Sequence, residues 1–102
     1  MSPPPRLRVP PEVAALLRGL HPELKRRIRG SFDRILDDPG AGKALRGELT
    51  GLRSLRVGRI RIVYRERRAV IEVVALGPRD HIYEETLRLL RGSPAAEMRK
   101  PE

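Results

Sequence analysis

Between Leu52 and Arg68 the chain carries seven arginines, Arg53, Arg56, Arg59, Arg61, Arg65, Arg67 and Arg68, against one carboxylate, Glu66. Guanidinium groups stay ionised and present forked pairs of donors that match the oxygens of a phosphodiester. A charged solvent face is common on antiparallel sheets and would account for any one of them. It does not account for seven with one counter-charge, because their mutual repulsion is unfavourable unless an anion sits there. Past this run comes Gly77-Pro78-Arg79-Asp80-His81-Ile82-Tyr83. Arg79 stands where the chain leaves the last strand, a place where connections commonly hold functional groups over a sheet edge. Tyr83 follows one helical turn later, and taken alone it reads equally well as a packing partner of Leu87. His81, of a type that titrates near neutrality, is a further acid/base candidate.

Other chemistries find little support. The chain has no Cys, which removes disulfide frameworks, thiolate metal sites and cysteine nucleophiles together. The two histidines, His21 and His81, lack neighbours at ligand spacing, so no metal site and no cofactor is expected, and His21 reads as a capping or surface residue. No phosphate-cradling glycine loop, zinc-protease motif or nucleophile elbow is present. The formal charge of +9, with Lys only at positions 25, 43 and 100, asks for an anionic partner. No run approaches the ~20 apolar residues that cross a bilayer. The start, MSPPPRLRVPP, lacks the apolar stretch of a secretory leader, and a cytoplasmic location without membrane contact is expected.

The elements that must position the arginines follow from hydrophobic period. At 102 residues one domain is expected, with an aliphatic core, since aromatic residues make up 3%. Residues 1–6 read as a disordered Pro-rich start, 7–91 as the domain and 92–102 as a flexible tail. Leu7–Val9 fits a short strand. Val13, Leu16, Leu17 and Leu20 repeat at helical spacing behind Pro11, and Leu24, Ile28, Phe32, Ile35 and Leu36 do so behind Pro22. These two helices form a hairpin, closed by Asp37-Asp38-Pro39-Gly40. Leu52–Val57, Ile60–Glu66 and Val70–Leu76 are strand-sized and rich in Val, Ile and Leu. Turns at Gly58-Arg59 and Arg67-Arg68 join them into an antiparallel meander. Ile82–Leu90 returns to helical spacing. The expected fold is α+β in the order β-α-α-β-β-β-α, with helices on one face of the sheet. Alternation then places Ser54 and Arg56, with Arg61, Val63 and Arg65, on the opposite, cationic face.

The set Leu-Arg-Gly at 45–47, Arg-Val-Gly-x-x-Arg-x-x-Tyr at 56–64 and Gly-x-Arg-x-x-x-Tyr at 77–83 resembles the RelE/ParE superfamily of type II toxins over residues 7–91. The resemblance implies a RelE-like fold with an N-terminal helical hairpin and a short C-terminal helix. It further implies one of two activities: ribosome-dependent cleavage of mRNA, as in RelE-like members, or inhibition of DNA gyrase without cleavage, as in ParE-like ones. The RelE-like positions fall on Arg56, Arg61, Arg79 and Tyr83 as catalytic residues, with Arg53, Arg59 and Arg65 as RNA-binding ones. Two positions depart from the pattern: Ser54 stands where some nucleases have Lys, and Pro78 where many relatives have His. Arg56 and Arg61 would hold the non-bridging oxygens of a pentacoordinate phosphorus. A phenol, ionising near ~10, acts as a base at neutral pH only where cations stabilise the phenolate. Arg79 would stabilise the leaving oxygen, because a guanidinium is a poor acid. A cognate antitoxin is also implied, with an acidic or amphipathic segment that answers the +9 charge.

Overall fold

Two prolines set the entry to the helical half. The first strand, β1 (Arg6–Arg8), ends before Pro10, and Pro11 occupies the first turn of α1 (Pro11–Arg18), where a missing N–H is harmless. Glu12 in the first turn and Arg18 in the last complement the helix dipole. Pro22 opens α2 (Pro22–Asp37), and the His21 imidazole caps it, Nδ1 accepting the Glu23 N–H at 3.1 Å. Asp38 ends α2, its carboxylate accepting the Gly40 N–H at 3.1 Å as the chain turns. The computed structural model describes residues 5–78 and 82–92. The Pro-rich start through residue 4, Arg79, His81 and the tail from residue 93 lie outside the described residues.

The second half folds as β2 (Lys43–Ala44), β3 (Arg53–Val57), β4 (Ile60–Arg67), β5 (Val70–Pro78) and α3 (Ile82–Gly92). The meander is as expected, but the sheet is larger and mixed. Its order is β1-β5-β4-β3-β2, with β1 running parallel to β5 and the other pairs antiparallel. Leu7 sits opposite Ile71, so the chain's start pairs with its third quarter. Such a long-range parallel pairing has no local sequence signal.

The helices do not share one face. Val13, Ile28, Phe32 and Ile35 from α1 and α2 bury one side with Leu55, Val57, Ile62, Ile71, Val73 and Leu76. On the other side Ile82, with Leu87, Leu89 and Leu90 of α3, packs on Leu52, Val63, Val74 and Ala75. The expected one-sided arrangement is corrected here, because β5 presents an apolar patch to both faces. A bulge makes that happen. Val63 faces Ala75 while Tyr64 faces Val73, leaving Val74 as an extra residue that turns to the α3 side beside Ala75.

The β4–β5 turn lies at Arg68-Ala69, one residue later than the spacing suggests, and both residues have positive φ, 49° and 64°. A left-handed conformation costs an L-residue roughly 1–2 kcal/mol. Ala69→Gly is therefore expected to raise stability by about 1 kcal/mol, read as a higher urea midpoint with unchanged slope.

Candidate functional site

The β3–β4 pairing puts Arg56 directly opposite Arg61 on the α3 side of the sheet. Arg56 is exposed and Arg61 half-buried. The Arg61 guanidinium is held by its neighbour on β3: Nη1 donates to the Ser54 Oγ at 3.1 Å, and Ser54 is buried. Arg61 Nε is buried and has no hydrogen-bond partner among the described residues. An orphaned, charged donor is costly to keep, and its satisfaction by an incoming anion offsets that cost. Opposite Arg61 on β5 stands Gly77, which adds no side chain of its own beside the group. The Ile82 Cδ1 lies 3.6 Å from where a Cβ on Gly77 would be, so α3 starts beside this end of the sheet. Tyr83, in the next position, is 37% exposed.

The rest of the arginine run is dispersed. Arg59 is exposed in the β3–β4 turn beside Arg56 and Arg61. Arg53 points to the opposite, helix-hairpin side, where its Nη1 donates to the Gly42 carbonyl at 2.8 Å. Arg65 is neutralised across the strands, its Nε 2.7 Å from Glu72 Oε1, and Glu72 Oε2 lies 3.9 Å from Arg8. Arg67 and Arg68 lie at the far end of the β4–β5 hairpin. A continuous cationic face is thus corrected to a cationic end: α3 covers the middle of that face, and Arg56, Arg59 and Arg61 remain together at the β3–β4 tip.

Tyr64, which the sequence places only as a core residue, organises the opposite side. It is fully buried; its hydroxyl donates to the Pro39 carbonyl at 2.7 Å and accepts the Gly42 N–H at 2.8 Å. The signal for it was its parity with Ile60 and Ile62, since a buried phenol must find hydrogen-bond partners. Burial pushes its ionisation above the usual tyrosine range, the Gly42 N–H and the Arg53 charge opposing this only in part. The Tyr64 and Arg53 contacts tie the α2–β2 connection to β3 and β4, and so fix the strands on which Ser54 and Arg61 sit.

On α3 the polar side chains pair among themselves and with the sheet connection. Arg88 bonds Glu85, holding that carboxyl below its usual range, and Arg91 reaches Glu48 at 2.8 Å. These exposed pairs contribute little each. No group of three metal-ligating side chains occurs among the described residues, and no described helix is long and apolar enough to cross a membrane.

A five-stranded mixed sheet between a helical hairpin and a single helix, with Arg56, Arg59 and Arg61 gathered at one strand turn, defines a small α+β domain with one cationic end. The model of the ParE toxin of the type II toxin–antitoxin system parDE matches residues 4–83. The chain belongs to this family, within the RelE/ParE superfamily of type II toxins. No match to a curated protein is found. Among solved structures it is similar to the RelBE2 toxin–antitoxin complex of Mycobacterium tuberculosis, at 26% identity and TM-score 0.67, over 76% of this chain and 100% of that one. The archaeal RelE–RelB complex of Pyrococcus horikoshii shares the fold at 23% identity and TM-score 0.61, over 76% and 97%. A mutant of the E. coli toxin RelE in the free state does so at 18% identity and TM-score 0.70, over 84% and 97%.

Proposed function

We propose that this type II toxin is a ribosome-dependent, metal-independent mRNA endonuclease of the cytoplasm, restrained by a cognate antitoxin. The observation that carries this reading is the half-buried Arg61, held by Ser54 with its Nε unsatisfied among the described residues, beside the exposed Arg56. Two guanidinium forks at one strand turn suit a single phosphodiester whose non-bridging oxygens gain charge as a fifth oxygen bonds to phosphorus. In the step, the ribose 2′-oxygen attacks the adjacent phosphorus and gives its proton to a base. The bond to the 5′-oxygen breaks, and that oxygen takes up a proton. The products are a 2′,3′-cyclic phosphate and a 5′-hydroxyl. Tyr83 is the proposed base, Arg79 steadies the departing 5′-oxygen, and His81 is a further group able to carry a proton. These are modest acid–base groups, so ordering of the substrate by the ribosome must supply much of the rate.

The experiment is incubation of purified toxin with ribosomes carrying a defined mRNA, with cleavage read by primer extension. Cuts within the codon on programmed ribosomes, and none on free mRNA, are expected. Tyr83→Phe is expected to slow cleavage by about 10²–10⁴-fold, the usual range for loss of a positioned proton-transfer group.

A second reading is inhibition of DNA gyrase, favoured by the ParE family match itself. Intact mRNA beside gyrase-linked DNA breaks on induction would establish it instead. Under either reading the antitoxin is proposed as an acidic or amphipathic segment that covers the cationic end. The M. tuberculosis and P. horikoshii structures, both toxin–antitoxin complexes, support such a partner.

A further inference from the structure

We propose that Lys43 of β2 gives the departing 5′-oxygen its proton, from the flank of the phosphate site opposite Tyr83. The inference rests on the mRNA-cleaving reading. β2 runs antiparallel to β3, and Lys43 stands directly opposite Ser54. Paired residues of antiparallel strands project from one face, with Cβ atoms about 4.5–5.5 Å apart. Lys43 therefore shares the α3 side with Ser54, whose hydroxyl accepts from Arg61 Nη1 at 3.1 Å. A flexible four-carbon stem is long enough to carry its ammonium from there to a phosphate held by Arg61.

A two-residue edge strand would by itself place a side chain poorly, but this one is pinned on both sides. Just before Lys43, the Gly42 N–H donates to the Tyr64 hydroxyl and the Gly42 carbonyl accepts from Arg53 Nη1, both at 2.8 Å. Two residues after it, the Leu45 N–H donates to the Leu52 carbonyl at 3.0 Å. The buried phenol of Tyr64 thus fixes the start of β2. The lysine side chain is left unspent. Lys43 is exposed and has no side-chain hydrogen bond or ion pair among the described residues. Glu48, the carboxylate of the β2–β3 connection, is taken by Arg91 at 2.8 Å.

Strand order decides what that ammonium does. Across this face run Gly77 on β5, Arg61 on β4, Ser54 and Arg56 on β3, and Lys43 on β2. α3 starts beside Gly77, so Tyr83 belongs to the β5 flank. In displacement at phosphorus the attacking and leaving oxygens lie roughly in line, on opposite sides of the group that the guanidiniums hold. A base on the β5 flank then needs its acid on the β2 flank. As the P–O5′ bond breaks, its electron pair passes to O5′, which takes a proton from the Lys43 ammonium. The amine left behind takes a proton back from water. An ammonium suits this step better than a guanidinium, since it ionises near ~10.4 against ~12.5 or above.

The test is single-turnover cleavage on programmed ribosomes of two mRNAs, one natural and one with sulfur in place of the bridging 5′-oxygen at the scissile position. A thiolate departs without taking a proton. Lys43→Ala is expected to slow cleavage of the natural linkage by about 10²–10⁴-fold, the range for a positioned proton-transfer group, and of the sulfur linkage by less than about 10-fold. Lys43→Arg keeps the charge, and should stay slow on the natural linkage while cutting the sulfur one at nearly the wild-type rate. Both variants should melt with the wild type, because the side chain is exposed. Equal losses on the two linkages would make Lys43 a contact for RNA charge alone, and undiminished cleavage by Lys43→Ala would remove it from the site; either result overturns the proposal. Failure of the nuclease reading shows separately, as a wild-type protein that cuts neither mRNA on the ribosome.

Discussion

Arg61→Ala is expected to reduce mRNA cleavage on programmed ribosomes by about 10²–10³-fold, the range seen when one preorganised donor to a developing oxyanion is removed. The size follows from how the group is held. Its Nη1 is fixed by the buried Ser54 hydroxyl, its backbone by pairing with Arg56 and Gly77, and its Nε faces no protein acceptor among the described residues. The fork is therefore in place before substrate arrives and needs little rearrangement in the transition state. The loss should fall on the single-turnover rate at saturating ribosome more than on the ribosome concentration needed for half-maximal rate, because the donors act on charge that grows during reaction. Arg61→Lys keeps the charge and loses the fork, and should recover only part of the rate. Melting temperature is the control. Undiminished cleavage by a folded Arg61→Ala protein would remove the site from the chemistry.

Gly42→Ala is expected to be the most damaging small substitution for stability. A Cβ there would stand 2.7 Å from the Tyr64 hydroxyl, 2.9 Å from its Cε1 and 3.0 Å from the Ser54 carbonyl oxygen. The ring cannot move without breaking its bonds to Pro39 and Gly42, and the Ser54 oxygen is main chain of β3. Overpacking of about 1–3 kcal/mol, together with about 1 kcal/mol or more for the lost hydrogen bond, gives a destabilisation on the order of 2–4 kcal/mol. For a chain of this size that is a fall in melting temperature of roughly 10 °C or more. The same phenol predicts alkaline sensitivity. Its folded-state ionisation lies above the ordinary value, so the unfolded chain loses the proton first as pH rises past ~10. Stability should then decline with increasing pH until the folded value is reached. Tyr64→Phe should flatten that decline while lowering stability at neutral pH. A Gly42→Ala protein that melts like the wild type would show that the connection relaxes freely.

What the sequence revealed and what it hid divide by range. The helical hairpin and the three central strands rest on neighbours within a few residues, and periodicity reads them directly; His21, open in the sequence between a capping and a surface residue, caps α2. The parallel pairing of β1 with β5 joins positions more than sixty residues apart, as in Leu7 with Ile71, and no pattern around either announces it. Arg65 looked free because its partner, Glu72, lies across a strand pair whose register is visible only once the bulge is known. The α3 face was misjudged for a similar reason. Val73, Val74, Ala75 and Leu76 are all apolar, so alternation along β5 cannot show which side each one takes. The pairing of Arg56 with Arg61 was legible, given the two-residue turn at Gly58-Arg59. The pairing of Lys43 with Ser54 was not, because β2 is two residues long and carries no apolar run of its own.

The extra residue at Val74 has a consequence for how this chain tolerates change. It acts as a phase shifter: before it odd-numbered positions of β5 face α1 and α2, and after it even-numbered ones do, as Ile71, Val73 and Leu76 show. Deleting Val74 would remove the shift and leave the pairs Val63 with Ala75, Ile62 with Leu76 and Arg61 with Gly77 in unbroken alternation. The site would keep its inside and outside, and the loss would fall on the apolar bed of α3, from which Val74 would be gone.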